Sequence, residues 1–184
     1  MLHYTSSNLW DWKYKGEILL SSKHVIDACV HEISPHTYKM WYKDESRQNH
    51  TYAAISTDLY HWKVVGEEIS DCPHEGPNVF ELGGVKWMIV DFWKGLAVYK
   101  SDDFTNWVRC QKNILDVPGK RTMDAAFGHH ADVVVVGNEA YIFYFCHLYE
   151  NDKERGNNHS TVIQAARLTT DGKQLFCNRA EVFE

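Results

Sequence analysis

The sequence predicts an all-β chain built as a β-propeller, with about three and a half blades present. The first observation is a recurring seven-residue phrase. Ser6-Ser7-Asn8-Leu9-Trp10-Asp11-Trp12 lines up with Ser56-Thr57-Asp58-Leu59-Tyr60-His61-Trp62 and Ser101-Asp102-Asp103-Phe104-Thr105-Asn106-Trp107, and loosely with Thr169-Thr170-Asp171-Gly172-Lys173-Gln174-Leu175. The second is spacing: Trp12, Trp62 and Trp107 lie 50 and 45 residues apart, the period of a four-stranded blade rather than of a helical repeat. The third is composition. Aromatics make up 14% of the chain, with ten tyrosines and seven tryptophans, and such rings pack well on pleated sheets.

Each copy of the phrase reads as a tight turn, because Ser and Asx side chains bond their own backbone two residues on. The aromatic that follows is expected to anchor the next strand, so Trp12, Trp62 and Trp107 are read as structural anchors. Placing the turn between the third and fourth strands of each blade orders the rest. Residues 1–24 are the end of a blade, with Leu2 to Thr5 as a third strand and Trp12 to Leu19 as a fourth. Residues 25–73 form a blade from Val25 to Ile33, Thr37 to Tyr42, Thr51 to Ile55 and Trp62 to Ile69. Residues 74–127 form the next, from Gly76 to Leu82, Val85 to Val90, Leu96 to Tyr99 and Trp107 to Ile114. Residues 128–184 form the last, from Ala131 to Val136, Ala140 to Phe145, Ser160 to Leu168 and Gln174 to Val182. Each stretch has strand length and composition. No linker interrupts the pattern, so residues 1–184 read as a single propeller fragment.

A chain that opens in mid-blade leaves an unpaired sheet edge, which a closed propeller avoids. The sequence therefore reads as N-terminally truncated. Its exposed edge, at Leu2 to Thr5 or at Glu181 to Phe183, is expected to pair with a second copy as a homo-oligomer.

A net charge of −6 and a pI near 6.0 give no electrostatic footprint for nucleic acid or an anionic membrane. No apolar run approaches the roughly 20 residues that span a bilayer. Met1-Leu2-His3-Tyr4 has no cationic stretch followed by an apolar core, so no signal peptide is read there. Five cysteines, at 29, 72, 110, 146 and 177, are an odd number without C-x-x-C spacing. That argues against a disulfide framework and a structural zinc site and for buried, reduced thiols.

In a propeller the starts of the innermost strands converge on the central axis. Those starts carry Asp27 in Val25-Ile26-Asp27-Ala28-Cys29, Glu75 in Pro73-His74-Glu75-Gly76-Pro77, and His129-His130 in Gly128-His129-His130-Ala131-Asp132. One Asp or His at a strand edge is ordinarily just solvated. Ionisable groups in register on three successive blades point to function, because carboxylates gathered near an axis are costly unless paired, protonated or used. His-His-x-Asp is not read as zinc, since neighbouring strand residues point to opposite faces and only one histidine reaches the axis.

Ile26-Asp27, Glu75-Gly76-Pro77 and Gly128-His129-His130, in that order, resemble the third, fourth and fifth blades of glycoside hydrolase family 43. The wider clan, which includes the β-fructosidases, is similar at Glu75 to Leu82. The resemblance covers essentially the whole chain and implies an incomplete five-bladed β-propeller of glycosidase type, cleaving glycosidic bonds of a poly- or oligosaccharide with inversion. Glu75 resembles the general acid, and Asp27 the carboxylate that tunes and orients it. His130, rather than His129, resembles the axial histidine that holds a water or a calcium ion in many members, a water-mediated role being equally open because histidine is an unusual calcium ligand. No cofactor is otherwise implied.

The links between second and third strands, Lys43 to Asn49, Asp91 to Gly95 and His147 to Asn158, lie on the same face as these positions. Trp93 is read as a plate for a sugar ring or as an ordinary turn aromatic. Arg155, or Arg47, is read as a partner for sugar hydroxyls or as a solvated loop arginine. His74 and His129 complete the expected substrate-binding set, His74 shaping or filling the pocket. The family's base, an Asp on the first blade, has no counterpart in this chain. The alternative is therefore a catalytically inactive carbohydrate-binding propeller. A propeller phosphorylase is a further rival, but it calls for basic residues at the strand starts, and these carry none.

Overall fold

A computed structural model of the protein describes residues 1–148 and 160–181. Every regular element among these residues is a β-strand. In chain order they are β1 (Leu2–Thr5), β2 (Lys13–Glu17), β3 (Val25–Ser34), β4 (Thr37–Asp44), β5 (His50–Ser56), β6 (Lys63–Ile69) and β7 (Glu75–Leu82). Next come β8 (Val85–Asp91), β9 (Leu96–Ser101), β10 (Val108–Arg109), β11 (Gly128–Val136), β12 (Glu139–His147), β13 (Thr161–Thr170) and β14 (Leu175–Asn178). β1 and β2 form a hairpin. The others form three four-stranded antiparallel meanders, β3-β4-β5-β6, β7-β8-β9-β10 and β11-β12-β13-β14, the strand order of propeller blades. The chain divides into two compact units, residues 1–73 and 74–184.

The repeated phrase forms the same turn each time. Asp58 Oδ1 accepts from the backbone N–H of Tyr60 and His61, both at 2.8 Å. Asp103 Oδ1 accepts from Thr105 at 2.9 Å and Asn106 at 2.8 Å. Asn8 Oδ1 does so for Trp10 at 3.0 Å and Asp11 at 2.9 Å, and Asp171 Oδ1 for Lys173 at 2.8 Å and Gln174 at 2.9 Å. The next residue is left-handed in all four turns, with φ of 60° at Leu9, 66° at Leu59, 60° at Phe104 and 80° at Gly172. For an L-residue that conformation costs roughly 1–2 kcal/mol; the fourth copy, degenerate in sequence, avoids the cost with glycine.

The anchor residues differ from the sequence expectation. Trp12 is 56% exposed, and Trp107 is half-buried. Trp62 packs against a buried cluster, and in the third copy the buried residue is Phe104, 3% exposed. A turn sets where a ring starts, but the neighbouring surface decides which ring it covers. The outermost strands are also shorter than expected. β10 keeps only Val108 and Arg109, after which the chain touches β9 again through Cys110 N–H to Val98 O at 2.8 Å and the Leu96–Ile114 bridge. The intervening Gln111-Lys112-Asn113 is polar throughout and offers no face to bury. β14 ends at Asn178, and residues 182–184 lie outside the described ones.

In the first unit Val25, Met40, Tyr42 and Ala54 are buried together, with Met1, Ile18, Leu20, Trp62 and Val64 packed on them. Trp41 is fully buried; its indole N–H donates to Glu68 Oε2 at 2.7 Å, and the Lys39 ammonium pairs with the same carboxylate. In the second unit β11 packs across β7, β8 and β9. One core then joins the two sheets, Phe80, Trp87, Ile89 and Val98 meeting Ala131, Ile142, Tyr144 and Leu168.

Residues 115–127 connect these two sheets without strand, and polar bonds hold them. The carboxylate of fully buried Asp124 accepts from Arg179 Nε at 3.3 Å, from Arg121 Nη2 at 3.3 Å, and from the Tyr144 hydroxyl at 3.1 and 3.2 Å, and it also pairs with Arg179 Nη2. Arg179 Nη2 further donates to the carbonyls of Asp124 at 3.2 Å and Ala126 at 2.8 Å.

All five cysteines are free; Cys110 and Cys146 are buried, whereas Cys29, Cys72 and Cys177 are half-buried, so the expectation of buried thiols holds for two. Around Asp124, burial pushes Tyr144 up to about 12, Cys146 to about 11 and Cys177 to about 12. The unfolded chain releases these protons near the ordinary values of 9.0 for cysteine and 10.0 for tyrosine. Their contribution to stability is therefore complete below about pH 9, and it is lost as pH rises through the folded values of about 11 to 12. Urea midpoints measured from neutral to strongly alkaline pH are expected to fall in that window, and a flat profile would contradict the placement of these groups.

Candidate functional site

Glu75 opens β7 directly across from Asp91, the last residue of β8. Both positions are local in origin: β8, Trp87-Met88-Ile89-Val90, is an apolar run that must be buried, and its end delivers Asp91 into the same protected layer, 1% exposed. Glu75 is half-buried.

Asp91 organises the surroundings. Its Oδ1 accepts the backbone N–H of Trp93 at 2.6 Å, and its Oδ2 accepts the backbone N–H of His130 at 2.9 Å. The His129 ring lies with Nδ1 within hydrogen-bond reach of both oxygens, at 3.4 and 3.3 Å. His129 is itself buried, stacked on Phe145 with centroids 5.3 Å apart and an interplanar angle of 25°, and it meets the edge of His147 at 5.3 Å. Its neighbour His130 is exposed.

Each first strand of the three meanders carries a bulge near its start. The register shifts between Ile26 and Cys29 in β3, between Glu75 and Asn78 in β7, and between His129 and Ala131 in β11. Asp27 and Gly76 occupy the bulges with φ of 57° and 59°, and His130 is the bulge residue of β11. Asp27 and His130 thus lie within the bulges of β3 and β11, while Glu75 and His129 stand just before the bulges of β7 and β11. Bulges commonly re-aim side chains beside functional sites. Asp27, half-buried, belongs to the first unit, and Glu75, His129 and His130 to the second.

Gly76 is required by both conformation and space. A Cβ there would lie 2.9 Å from Cγ and Cδ2 of the His130 ring. Gly76→Ala is expected to displace that ring and to cost about 1–2 kcal/mol from the left-handed backbone alone. Thermal unfolding together with the His130 ring shifts in NMR spectra checks this; an unmoved ring would refute the contact.

The remaining predicted residues separate. Trp93 is 44% exposed, in a turn with φ of 60° held by Asp91. His74 is fully buried and stacks on Phe92, with ring centroids 6.0 Å apart. Arg155 lies outside the described residues, while Arg47 pairs with Asp44 at 3.4 Å. Among the described residues no group of three or more His, Cys, Asp or Glu side chains converges as an ion-holding set. Sequence reasoning passed over Asp91, Phe145 and His147. A lone carboxylate closing an apolar strand was the available signal for Asp91.

The arrangement sets the half-buried carboxyl group of Glu75 across from a buried carboxylate that meets an imidazole.

The three four-stranded meanders are the blades of an incomplete β-propeller. It is similar to an exo-1,5-α-L-arabinanase from a bovine ruminal metagenomic library, with a TM-score of 0.68 and 14% identity over 93% of this chain and 65% of that one. It is also similar to a thermostable family 43 glycoside hydrolase, with a TM-score of 0.61 and 17% identity over 86% of this chain and 60% of that one. A Bombyx mori family 32 β-fructofuranosidase gives a TM-score of 0.61 and 15% identity over 97% of this chain and 42% of that one. This chain thus spans 65% or less of the length of these three propellers. At such identities the likeness shows the fold. No protein-family model and no curated protein matches the sequence.

Proposed function

We propose that this protein is a glycoside hydrolase that cleaves a poly- or oligosaccharide with inversion when its propeller is complete. Glu75 is the general acid that protonates the leaving oxygen, and Asp27 is the carboxylate that tunes it. Trp93, His129 and Arg155 bind the saccharide, and His130 holds a water or a calcium ion. The observation that carries this reading is the position of Glu75 at the mouth of β7, across from a buried Asp91 that also fixes His129 and His130.

An inverting mechanism needs a second carboxylate roughly 6.5–9.5 Å from the acid to activate water. The first four residues of β3, β7 and β11 carry Asp27 and Glu75 as their carboxylates. On this reading the base is a carboxylate other than those at these strand starts. The same observation favours a second reading, a carbohydrate-binding propeller without turnover.

Proton NMR with an α-1,5-linked arabino-oligosaccharide, the linkage in the name of one similar arabinanase, separates the two. Product appearing first in the opposite anomeric form supports the hydrolase. Shifts confined to His129 and Trp93 without product support the binder. Retention of configuration, or no interaction with this or other oligosaccharides, would remove the hydrolase reading.

A further inference from the structure

Three aspartates are almost fully buried among the described residues, Asp44 at 0%, Asp91 at 1% and Asp124 at 0% exposed. Asp124 is held by arginines and a tyrosine. Asp44 closes β4 as Asp91 closes β8, and each caps the turn that follows: Asp44 Oδ1 accepts from Ser46 N–H at 3.0 Å, as Asp91 Oδ1 does from Trp93 N–H at 2.6 Å. Beyond that shared task Asp44 bonds the hydroxyls of Ser21 and Ser22 and pairs with Arg47, whereas Asp91 meets an imidazole. The capping device is common to both sheets, and the imidazole contact is peculiar to the site.

We propose that Asp91 is a positioning residue that selects the tautomer of His129, so that Nε2 accepts a hydrogen bond from a saccharide hydroxyl; this rests on the carbohydrate reading above. An ionised carboxylate only accepts, so the two contacts at 3.3 and 3.4 Å require hydrogen on Nδ1. In the neutral ring the lone pair then belongs to Nε2. A histidine whose second nitrogen is fixed in this way presents one defined nitrogen to its ligand, the logic by which outer carboxylates orient liganding histidines. The stack on Phe145 and the edge of His147 fix the plane of the ring, and the Asp91 carboxylate fixes which nitrogen faces it.

The substitution that discriminates is Asp91→Asn. The carboxylate receives Trp93 N–H on one oxygen and His130 N–H on the other. An amide has a single oxygen, so its NH2 must face one of these donors. Either orientation sets the NH2 against one backbone N–H and also beside the imidazole; the ring meets it by moving its proton to Nε2, which turns Nδ1 into an acceptor and removes the acceptor from the saccharide side, while the displaced backbone N–H loses its acceptor.

The test is long-range proton–nitrogen NMR of histidine-labelled protein at about pH 8, above the ordinary imidazole range, with an α-1,5-linked arabino-oligosaccharide as the probe for binding. Wild-type His129 is expected to carry hydrogen on Nδ1. In Asp91→Asn the hydrogen is expected on Nε2, and affinity to fall about tenfold, the scale of one hydrogen bond. Wild-type hydrogen on Nε2 overturns the proposal, and that measurement stands even if the variant fails to fold. A folded variant that keeps hydrogen on Nδ1 yet loses affinity also overturns it, because Asp91 would then be only a structural tie. The expected tautomers without any saccharide binding would remove the carbohydrate reading and leave the tautomer selection by Asp91 standing.

Discussion

Glu75→Gln is expected to lower turnover by about 10²–10⁴-fold while leaving saccharide affinity nearly unchanged. Glutamine keeps the shape and can still hydrogen-bond, so interactions made equally in ground and transition states persist. It cannot release a proton to the departing oxygen, and that demand arises only as the glycosidic bond breaks. The loss amounts to about 3–5 kcal/mol of transition-state stabilisation. Leaving groups separate this role from a structural one. An aryl glycoside departs as a stabilised phenolate and needs little protonation, so its turnover should fall far less than that of an alkyl-linked sugar. Steady-state kinetics of the complete propeller on both substrates measure this. Equal losses for the two, or a loss confined to KM, would take the proton-donor role away from Glu75.

Asp124→Ala is expected to destabilise the second unit by about 3–5 kcal/mol, the cost of leaving a buried partner charge uncompensated. Arg179, 8% exposed, would keep its guanidinium inside without the carboxylate it pairs with. Tyr144 and Arg121 would lose the same acceptor. The effect should reach the candidate site, because residues 115–127 lead into β11 and the bond from Gly128 N–H to Leu115 O at 3.0 Å fixes the strand that carries His129 and His130. Urea unfolding followed by tryptophan fluorescence gives the magnitude. A change below about 1 kcal/mol, the usual range for an exposed ion pair, would mean that water reaches Asp124 and that the network is not closed.

Features that depend on neighbours a few residues apart were legible in the chain. The four turns follow from Ser and Asx side chains bonding backbone two and three residues on, and they recur with the same bonds. Strand starts followed from the turns, which is why Glu75, His129 and His130 were found where ionisable groups at those starts were expected. The placement of Asp27 was legible only in part. That it sits at the start of β3 was readable, but the bulge and the left-handed φ of 57° that set its direction were not, since a register shift belongs to a pair of strands.

The sequence by itself determined the all-β class, the blade period, the turn chemistry and the stations of the ionisable residues, because each is set by hydrogen bonds and side-chain alternation over a handful of residues. Only the tertiary structure decided that Asp91 is the hub of the site, through bonds to residues 38 and 39 positions away. It alone showed that His74 is fully buried against Phe92, and that Phe104 is buried where Trp12 is exposed. Burial and long-range pairing depend on which surfaces meet when sheets stack, and a local pattern does not specify its distant partner.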